Sequence, residues 1–292
     1  MEASSQVVPP GSRQALSNPD NTLGEIAQGD PVRLPETATV FRQRSQRLAV
    51  LAEGHELQGF LRMIAAVMAA QHVALGGLAG DAGWQVALGR ILDSIDPAVL
   101  PDPARRAQEA LKAATPDALD ALSEHFLSGE VAPDEAARMV FVAAALQVAW
   151  THTAARLHLA SVKPSEDKPG LCPVCASPPV AGVIEPGGTR FGHRYLHCSL
   201  CATQWRYVRV RCVHCGSTEK ISSRQIAGTT YLRAECCDSC HGYSKVFYVE
   251  QAKAVEPFAD DLASLGLDLM VGEEGYARVA NPFVLGGDGA GD

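Results

Sequence analysis

Eight of the nine cysteines form four Cys-x-x-Cys pairs, all between residues 172 and 240. The pairs are Cys172/Cys175, Cys198/Cys201, Cys212/Cys215 and Cys237/Cys240. Two intervening residues allow a tight turn that points both sulfur atoms at one ion, and Zn²⁺ takes four thiolates in a tetrahedron. Each ion therefore needs two such pairs, and the sequence predicts two four-cysteine sites that hold one metal ion each.

The four pairs divide into two sets of nearly equal spacing, which indicates a tandem duplication. Residues 172–201 read C-x2-C-x22-C-x2-C, and residues 212–240 read C-x2-C-x21-C-x2-C. We therefore expect one metal site within each set. Only ten residues separate Cys201 from Cys212, so a site formed by the second and third pairs stays open as an alternative.

Four thiolates suit either iron or zinc, and single-iron rubredoxin-type ligation uses the same sulfur atoms as zinc. An iron–sulfur cluster is a further alternative. Thioredoxin-like redox chemistry is disfavoured because no pair begins a helix beside a βαβ unit. The histidines near the pairs are expected to surround the sites rather than ligate; they are His193, His197, His214 and His241. Cys236 is not needed as a ligand, and we expect a small strand residue or a spare thiol.

All nine cysteines lie after residue 171, which indicates that the chain contains two different architectures. Residues 36–162 have apolar residues at helical spacing and predict at least five helices. Thr115-Pro116 marks a helix start and Gly129 a helix end. Residues 163–170 are polar and proline-bearing, which predicts a linker. We expect an α+β protein: an N-terminal all-α helical domain followed by tandem zinc-ribbon or rubredoxin-like four-cysteine modules.

The expected modules cover residues 171–206 and 207–252, with short strands near 180–184, 195–197, 204–210 and 243–249. Residues 1–35 are expected to form a flexible tail, and 253–292 a C-terminal helix and tail. The last helix is expected over 257–270, packed back onto the modules, with Leu262, Leu265 and Leu269 on one face. Asp260 and Asp261 are interpreted as complements to its dipole.

Composition excludes several classes of protein. The chain has 33 acidic against 25 basic residues and a formal charge of −8, so it lacks the overall basic charge of nucleic-acid-binding proteins. The N-terminal residues lack the basic and apolar regions of a secretory signal. The apolar run 139–150 is shorter than the ~20 residues that span a bilayer. We therefore expect a cytoplasmic protein without membrane insertion, whose thiols stay reduced.

Basic residues cluster around the first module. Arg194, Arg206 and Arg209 lie there with Trp205 between them, and these four are the candidate partner-binding residues. The arginines could neutralise the thiolate sites or bind an acidic partner. Nucleic acid is disfavoured, because the cysteine-rich segment is nearly neutral once eight thiolates and two divalent ions are counted. The helical half shows no catalytic constellation.

In this setting the sequence resembles the family of the formate dehydrogenase accessory protein FdhE, over about residues 36–285. The cysteine-rich motifs that carry the resemblance are Leu171–Cys175, Pro179–Val183, Arg194–Cys201 with Trp205, and Ala234-Glu235 before Cys237–Cys240. The motifs outside that segment are Phe41–Arg44, Arg47-Leu48, Gln71, Asp260–Leu262, Leu267-Asp268, Gly275-Tyr276 and Asn281–Phe283. Cys236 is not part of the family pattern.

The resemblance implies a cytoplasmic, non-enzymatic maturation factor for respiratory formate dehydrogenase. Such a factor would bind the molybdoenzyme catalytic subunit before export, through the cysteine-rich half, with rubredoxin-like iron ligation. Two alternatives stay open: a rubredoxin-like electron-transfer or redox-sensing protein, and a nucleic-acid-binding zinc-ribbon protein.

Overall fold

The computed structural model describes residues 30–186, 192–278 and Phe283. Six helices come first along the chain, and a sheet that carries the cysteines follows. The helices are α1 Val40–Leu51, α2 Gln58–Gly76, α3 Trp84–Ser94, α4 Asp102–Lys112, α5 Pro116–Ser128 and α6 Ala136–Ala155. The expected α+β class and the order of the two halves are confirmed.

Local signals in the sequence set the bounds of α5. The hydroxyl of Thr115 accepts a hydrogen bond from the Ala118 amide, which satisfies one of the free N–H groups at the helix start. Gly129 ends the helix with a φ of 79°, a left-handed conformation that glycine adopts without a steric penalty. Both expected end signals are therefore confirmed.

Helices α2 and α6 form the centre of the helical half and contact each other. Helix α6 buries most of its length, including Phe141, Leu146 and Gln147. Helix α2 is long and apolar enough to span a membrane, but half of it is buried and it also packs against α1 and α3. Its apolar character is accounted for by the core of the helical half.

The sheet has eight strands in one continuous network. Its strands are β1 Val32–Arg33, β2 Pro179–Glu185, β3 His193–Cys198, β4 Gln204–Tyr207, β5 Ile221–Arg224, β6 Leu232–Cys237, β7 Gly242–Tyr248 and β8 Ala277–Arg278. The order is β1-β4-β3-β2-β7-β6-β5, with β8 beside β7. Two antiparallel units, β2-β3-β4 and β5-β6-β7, correspond to the two cysteine sets. They are joined by parallel pairing of β2 with β7.

The expectation that residues 1–35 form a flexible tail is wrong for the last few of them, because residues 32–33 form a strand. Val32 pairs with Trp205, and the backbone N–H of Arg206 donates to the carbonyl of Pro31. The Arg33 guanidinium contacts both carboxylate oxygens of Glu185 at 2.7 and 2.9 Å. Two residues are too few for a strand pattern, so pairing with β4 decided this element. Residues 1–29 of the expected tail lie outside the described residues.

The expected last helix is two helices, α7 Pro257–Leu262 and α8 Leu265–Glu273. The break at Ser264 turns the chain, so Leu262 is buried while Leu269 is 71% exposed. The three leucines therefore do not share one face. Helix α7 packs between α1 and β2, so it joins the helical half to the sheet. The expected C-terminal tail lies outside the described residues at 279–282 and 284–292.

Asp260 lies in the first turn of α7 and accepts a hydrogen bond from the Glu256 amide at 2.9 Å, as expected of a helix-dipole complement. That interpretation of Asp260 and Asp261 leaves out their burial. Both side chains are fully buried. Asp260 accepts two hydrogen bonds from the Arg47 guanidinium of α1, at 2.6 and 2.9 Å. Asp261 lies 3.3 Å from the buried Lys245 ammonium of β7. Buried carboxylates need cationic partners, and only the packing of α7 shows that these carboxylates are buried.

Candidate metal centres

The eight paired cysteines assemble into two separate clusters. Cluster 1 contains Cys172, Cys175, Cys198 and Cys201, and cluster 2 contains Cys212, Cys215, Cys237 and Cys240. Within each cluster the sulfur atoms all lie within 4.8 Å of one another. The division into two sets is confirmed, and the alternative in which the second and third pairs share an ion is wrong.

The distances between sulfur atoms fit a tetrahedral ion and not disulfides. In cluster 1 the pairs Cys175/Cys198 and Cys172/Cys201 are 3.4 and 3.5 Å apart. In cluster 2 the pairs Cys212/Cys240 and Cys215/Cys237 are both 3.7 Å apart. Four sulfur atoms about 2.3 Å from one ion are separated by about 3.8 Å, whereas a disulfide bond is about 2.05 Å long. Each cluster could therefore hold one metal ion.

All four Cys-x-x-Cys turns share one backbone geometry. The residue after each pair has a left-handed conformation: Ala176 at φ 59°, Ala202 at 58°, Gly216 at 74° and His241 at 55°. In the first, third and fourth turns the residue after the pair donates its N–H to the carbonyl of the first cysteine, at 2.9, 3.1 and 2.8 Å. A left-handed conformation costs a non-glycine residue about 1 kcal/mol. Three such residues show that the turns maintain this geometry against local preference.

Backbone amides in these turns point at the sulfur atoms. The amides of Leu200 and Cys201 both donate to the Cys198 sulfur at 3.3 Å. In cluster 2 the backbone amides of Ser239 and Cys240 donate hydrogen bonds to Cys237, which lower the pKa of its thiol. Such hydrogen bonds favour the thiolate, which is the form that ligates a metal.

Cluster 1 is packed against the helical half. Cys172, Cys198 and Cys201 are buried, and Cys175 is partly buried. The amide of Gln147 on α6 donates at 2.7 Å to the carbonyl of Ser199, which lies between Cys198 and Cys201. Gln71 on α2 donates in turn to the Gln147 side-chain oxygen at 2.9 Å.

Both glutamines are fully buried. They form a hydrogen-bonded chain from the centre of the helical half to a ligand turn of cluster 1. The spacing of apolar residues predicts only that Gln71 and Gln147 lie in helices. The family resemblance included Gln71, but no signal in the sequence linked it to Gln147 or to cluster 1, because these partners are distant along the chain.

Cluster 2 lies at the surface, and its Cys215 and Cys240 are exposed. The preceding loop is attached to its first turn by two hydrogen bonds. The hydroxyl of Tyr207 donates to the Cys212 carbonyl at 2.8 Å, and the Arg211 guanidinium donates to the Gly216 carbonyl at 3.0 Å. No described helix of the N-terminal half makes a hydrogen bond to this cluster.

Neither the histidines nor Cys236 joins a cluster among the described residues. His197 is half-buried, and loss of solvation together with the nearby Arg44 charge lowers its pKa to about 3. It is therefore neutral at physiological pH. Cys236 is fully buried on β6, and burial raises the pKa of its thiol to about 11. Cys236 is therefore a small buried residue of a strand, which is the first of its two expected roles.

Two of the four candidate partner-binding residues, Arg194 and Trp205, are buried, so the expectation that they bind a partner is wrong. The Arg194 guanidinium has no exposed area; it pairs with Glu235 of β6 at 2.8 Å and donates to the Arg209 carbonyl at 3.1 Å. It therefore links the two modules. Trp205 is also fully buried, and its indole N–H donates to the Pro169 carbonyl at 3.0 Å.

The other two candidates remain at the surface: Arg206 is exposed and Arg209 is half-buried. Burial in a β-sheet alternates along a strand, and the sequence did not show which side of β3 and β4 faces the core.

Family models match almost the whole described chain. The N-terminal model of FdhE matches residues 30–80 and 76–167, the central model 171–209, and the C-terminal model 210–285. The chain belongs to the FdhE family. The boundary between the central and C-terminal models falls between the two clusters.

Curated relatives and a solved structure agree with this assignment. The chain is 35% identical over 299 residues to the FdhE homologue of Pseudomonas aeruginosa, covering 89% of this chain and 95% of that protein. It is 37% identical to the homologue of Stutzerimonas stutzeri, over 84% and 89% of the two chains. The crystal structure of the FdhE protein from Pseudomonas aeruginosa matches with a TM-score of 0.79 at 34% identity, covering 88% and 99%.

Proposed function

We propose that this protein is an accessory factor for the maturation of respiratory formate dehydrogenase. It binds the molybdoenzyme catalytic subunit in the cytoplasm before export and catalyses no reaction itself. The observation that carries this proposal is membership of the FdhE family along nearly the full chain, with both four-cysteine clusters in place. The formate dehydrogenase link is the role associated with that family.

Each cluster holds one ion in this proposal, iron or zinc. Four thiols with inward-pointing amides suit either metal. The bound ion supplies charge compensation for four thiolates and folding free energy to a small module. A unit of about 40 residues buries too little apolar surface to be stable without such a link. Metal binding is therefore expected to precede partner binding.

A binding role is supported by how the ligands are used. When four cysteines saturate a tetrahedral ion, no coordination position is left for a substrate, which is typical of structural rather than catalytic sites. The protein thus offers surfaces and a metal-stabilised fold rather than a reaction centre.

The exposure of cluster 2 favours one alternative function, electron transfer. An iron ion held by Cys215 and Cys240 would lie close to solvent and to a docked redox partner. Metal analysis with a visible spectrum on anaerobically purified protein tests this. A colourless, zinc-only protein that still supports formate dehydrogenase maturation would exclude it.

The main test is binding of purified protein to the catalytic subunit of formate dehydrogenase. We expect a stable complex that is lost when Cys237 and Cys240 are both changed to Ser. Cys236→Ser is the matched control, since it removes a neighbouring thiol outside the cluster. Unchanged formate dehydrogenase activity in a deletion strain would contradict the proposal.

A further inference from the structure

The loop between the two modules presents an exposed surface of valine and arginine. We define the linker surface as residues 206–210, which run from the last two residues of β4 to the first turn of cluster 2. Val208 and Val210 are 56% and 57% exposed. Val208 and Val210 lie two residues apart, so they add exposed apolar surface at one place on the loop, beside its arginines.

The charge of this region is one-sided. Residues 204–218 contain three arginines and no acidic residue, in a chain of net charge −8. Arg211 is used internally, because it donates to the Gly216 carbonyl. The backbone of Arg206 pairs with Pro31, but its guanidinium makes no hydrogen bond or ion pair with any described residue, and the guanidinium of Arg209 acts on Glu235 only through its electrostatic field. Two guanidinium groups are therefore available to an acidic partner.

The aromatic residues of the region favour a protein partner over a single-stranded nucleic acid. Base stacking needs accessible rings, but Trp205 and Tyr207 are 0% and 8% exposed. What remains accessible alternates basic and apolar: Arg206, Val208, Arg209 and Val210. This pattern complements an extended peptide in which carboxylates and apolar side chains alternate.

We propose that the linker surface is the docking site for the formate dehydrogenase catalytic subunit, through an extended acidic and apolar segment of that subunit. This inference rests on the proposed function. The hydrogen bonds from Tyr207 to Cys212 and from Arg211 to Gly216 fix the loop against the first turn of cluster 2. A segment docked on the loop therefore also covers the exposed Cys215.

The test measures the affinity of the metal-loaded full chain for the purified catalytic subunit. The docking variant combines Arg206→Glu, Val208→Ser and Val210→Ser. The control variant combines Arg42→Glu, Val50→Ser and Val73→Ser, whose valines are 60% and 61% exposed on the helical half. For the docking variant we expect binding weaker by at least tenfold, which corresponds to about 1.4 kcal/mol. For the control variant we expect no change in affinity.

A second readout locates the contact. Iodoacetamide labelling of Cys215 is followed by mass spectrometry in the free protein and in the complex. We expect slower labelling in the wild-type complex and no protection by the subunit in the docking variant. Metal content and circular dichroism of all variants establish that the fold is retained.

The possible results separate the two proposals. If the wild type binds the subunit and the docking variant binds equally well, the linker surface is wrong and the proposed function stands. If the wild type does not bind the subunit, both are wrong. If a single-stranded oligonucleotide competes for the surface at physiological salt, the partner class is wrong.

Discussion

Cluster 1 and cluster 2 have almost the same ligand spacing and the same turn geometry, yet their surroundings differ. Cluster 1 is buried under the helical half, and Gln147 contacts one of its ligand turns. Cluster 2 exposes Cys215 and Cys240. Local sequence thus sets how four sulfur atoms meet, while the rest of the fold sets how accessible they are. The comparison implies that the two clusters have different roles: cluster 1 joins the two halves, and cluster 2 stabilises a surface.

The largest effect is expected from loss of a ligand in cluster 1. Cys198→Ser removes a buried ligand under α6, so both the first module and its contact with the helical half are lost. Because structural zinc contributes about 10–16 kcal/mol of folding free energy, we expect a fall in Tm of more than about 10 °C. Thermal unfolding followed by circular dichroism measures it.

Cys237→Ser is the matched change in cluster 2. We expect it to remove one metal ion per chain while the helical signal still unfolds within a few degrees of the wild type. Equal losses of helical stability in both variants would show that the two clusters are equivalent.

A smaller effect is expected for Gln147→Leu, which tests the contact between α6 and cluster 1. The change leaves the Ser199 carbonyl without its donor and removes one of two acceptors of the Gln71 amide, which still bonds the Ala144 carbonyl; we expect a cost of about 2 kcal/mol. The metal of cluster 1 should also be released faster, since its turn is less constrained. Chelator-induced metal release and denaturant unfolding provide the two measurements.

Gln108→Leu is the control for that experiment. Gln108 is buried as deeply and donates to the carbonyls of Leu92 and Ile95 at 2.7 and 3.0 Å, within the helical half. We expect a similar loss of stability without faster metal release. If both variants release metal alike, the glutamine contact does not act on the cluster.

In the wild type, we expect a chelator to remove the two ions in two phases that differ by about tenfold in rate, or about 1.4 kcal/mol. Exposed ligands exchange by small local openings, whereas buried ligands require larger ones. Alkylation with mass spectrometry assigns the phases: Cys215 and Cys240 should react before Cys198 and Cys201. A single phase would contradict the difference in exposure.

The smallest effect is expected for Cys236→Ala. Cys236 is buried beside a cluster ligand but belongs to neither cluster. We expect two ions per chain as in the wild type, and a loss of stability of at most about 1 kcal/mol from the smaller side chain. Elemental analysis of metal per protein checks it, and a loss of metal would give this thiol a ligand role.

The cysteine sets, the change of architecture near residue 163 and the ends of α5 were predictable from the sequence. Each depends on neighbouring residues: a two-residue turn between thiols, the hydroxyl of Thr115 or the backbone of Gly129. Features that depend on distant partners were not predictable. Arg194 was expected at the surface, but it pairs with Glu235 in the other module. Asp260 and Asp261 were interpreted as complements to the helix dipole, but their carboxylates are buried and pair with Arg47 and Lys245.

By itself, the sequence determined which thiols form one cluster, because Cys-x-x-Cys spacing is a local property of the chain. Only the tertiary structure decided that the two modules form one sheet through β2 and β7, and that α6 covers one cluster and leaves the other open. Burial is the sum of contacts from segments far apart in the chain. Two nearly identical cysteine patterns can therefore differ in exposure for a reason that neither pattern contains.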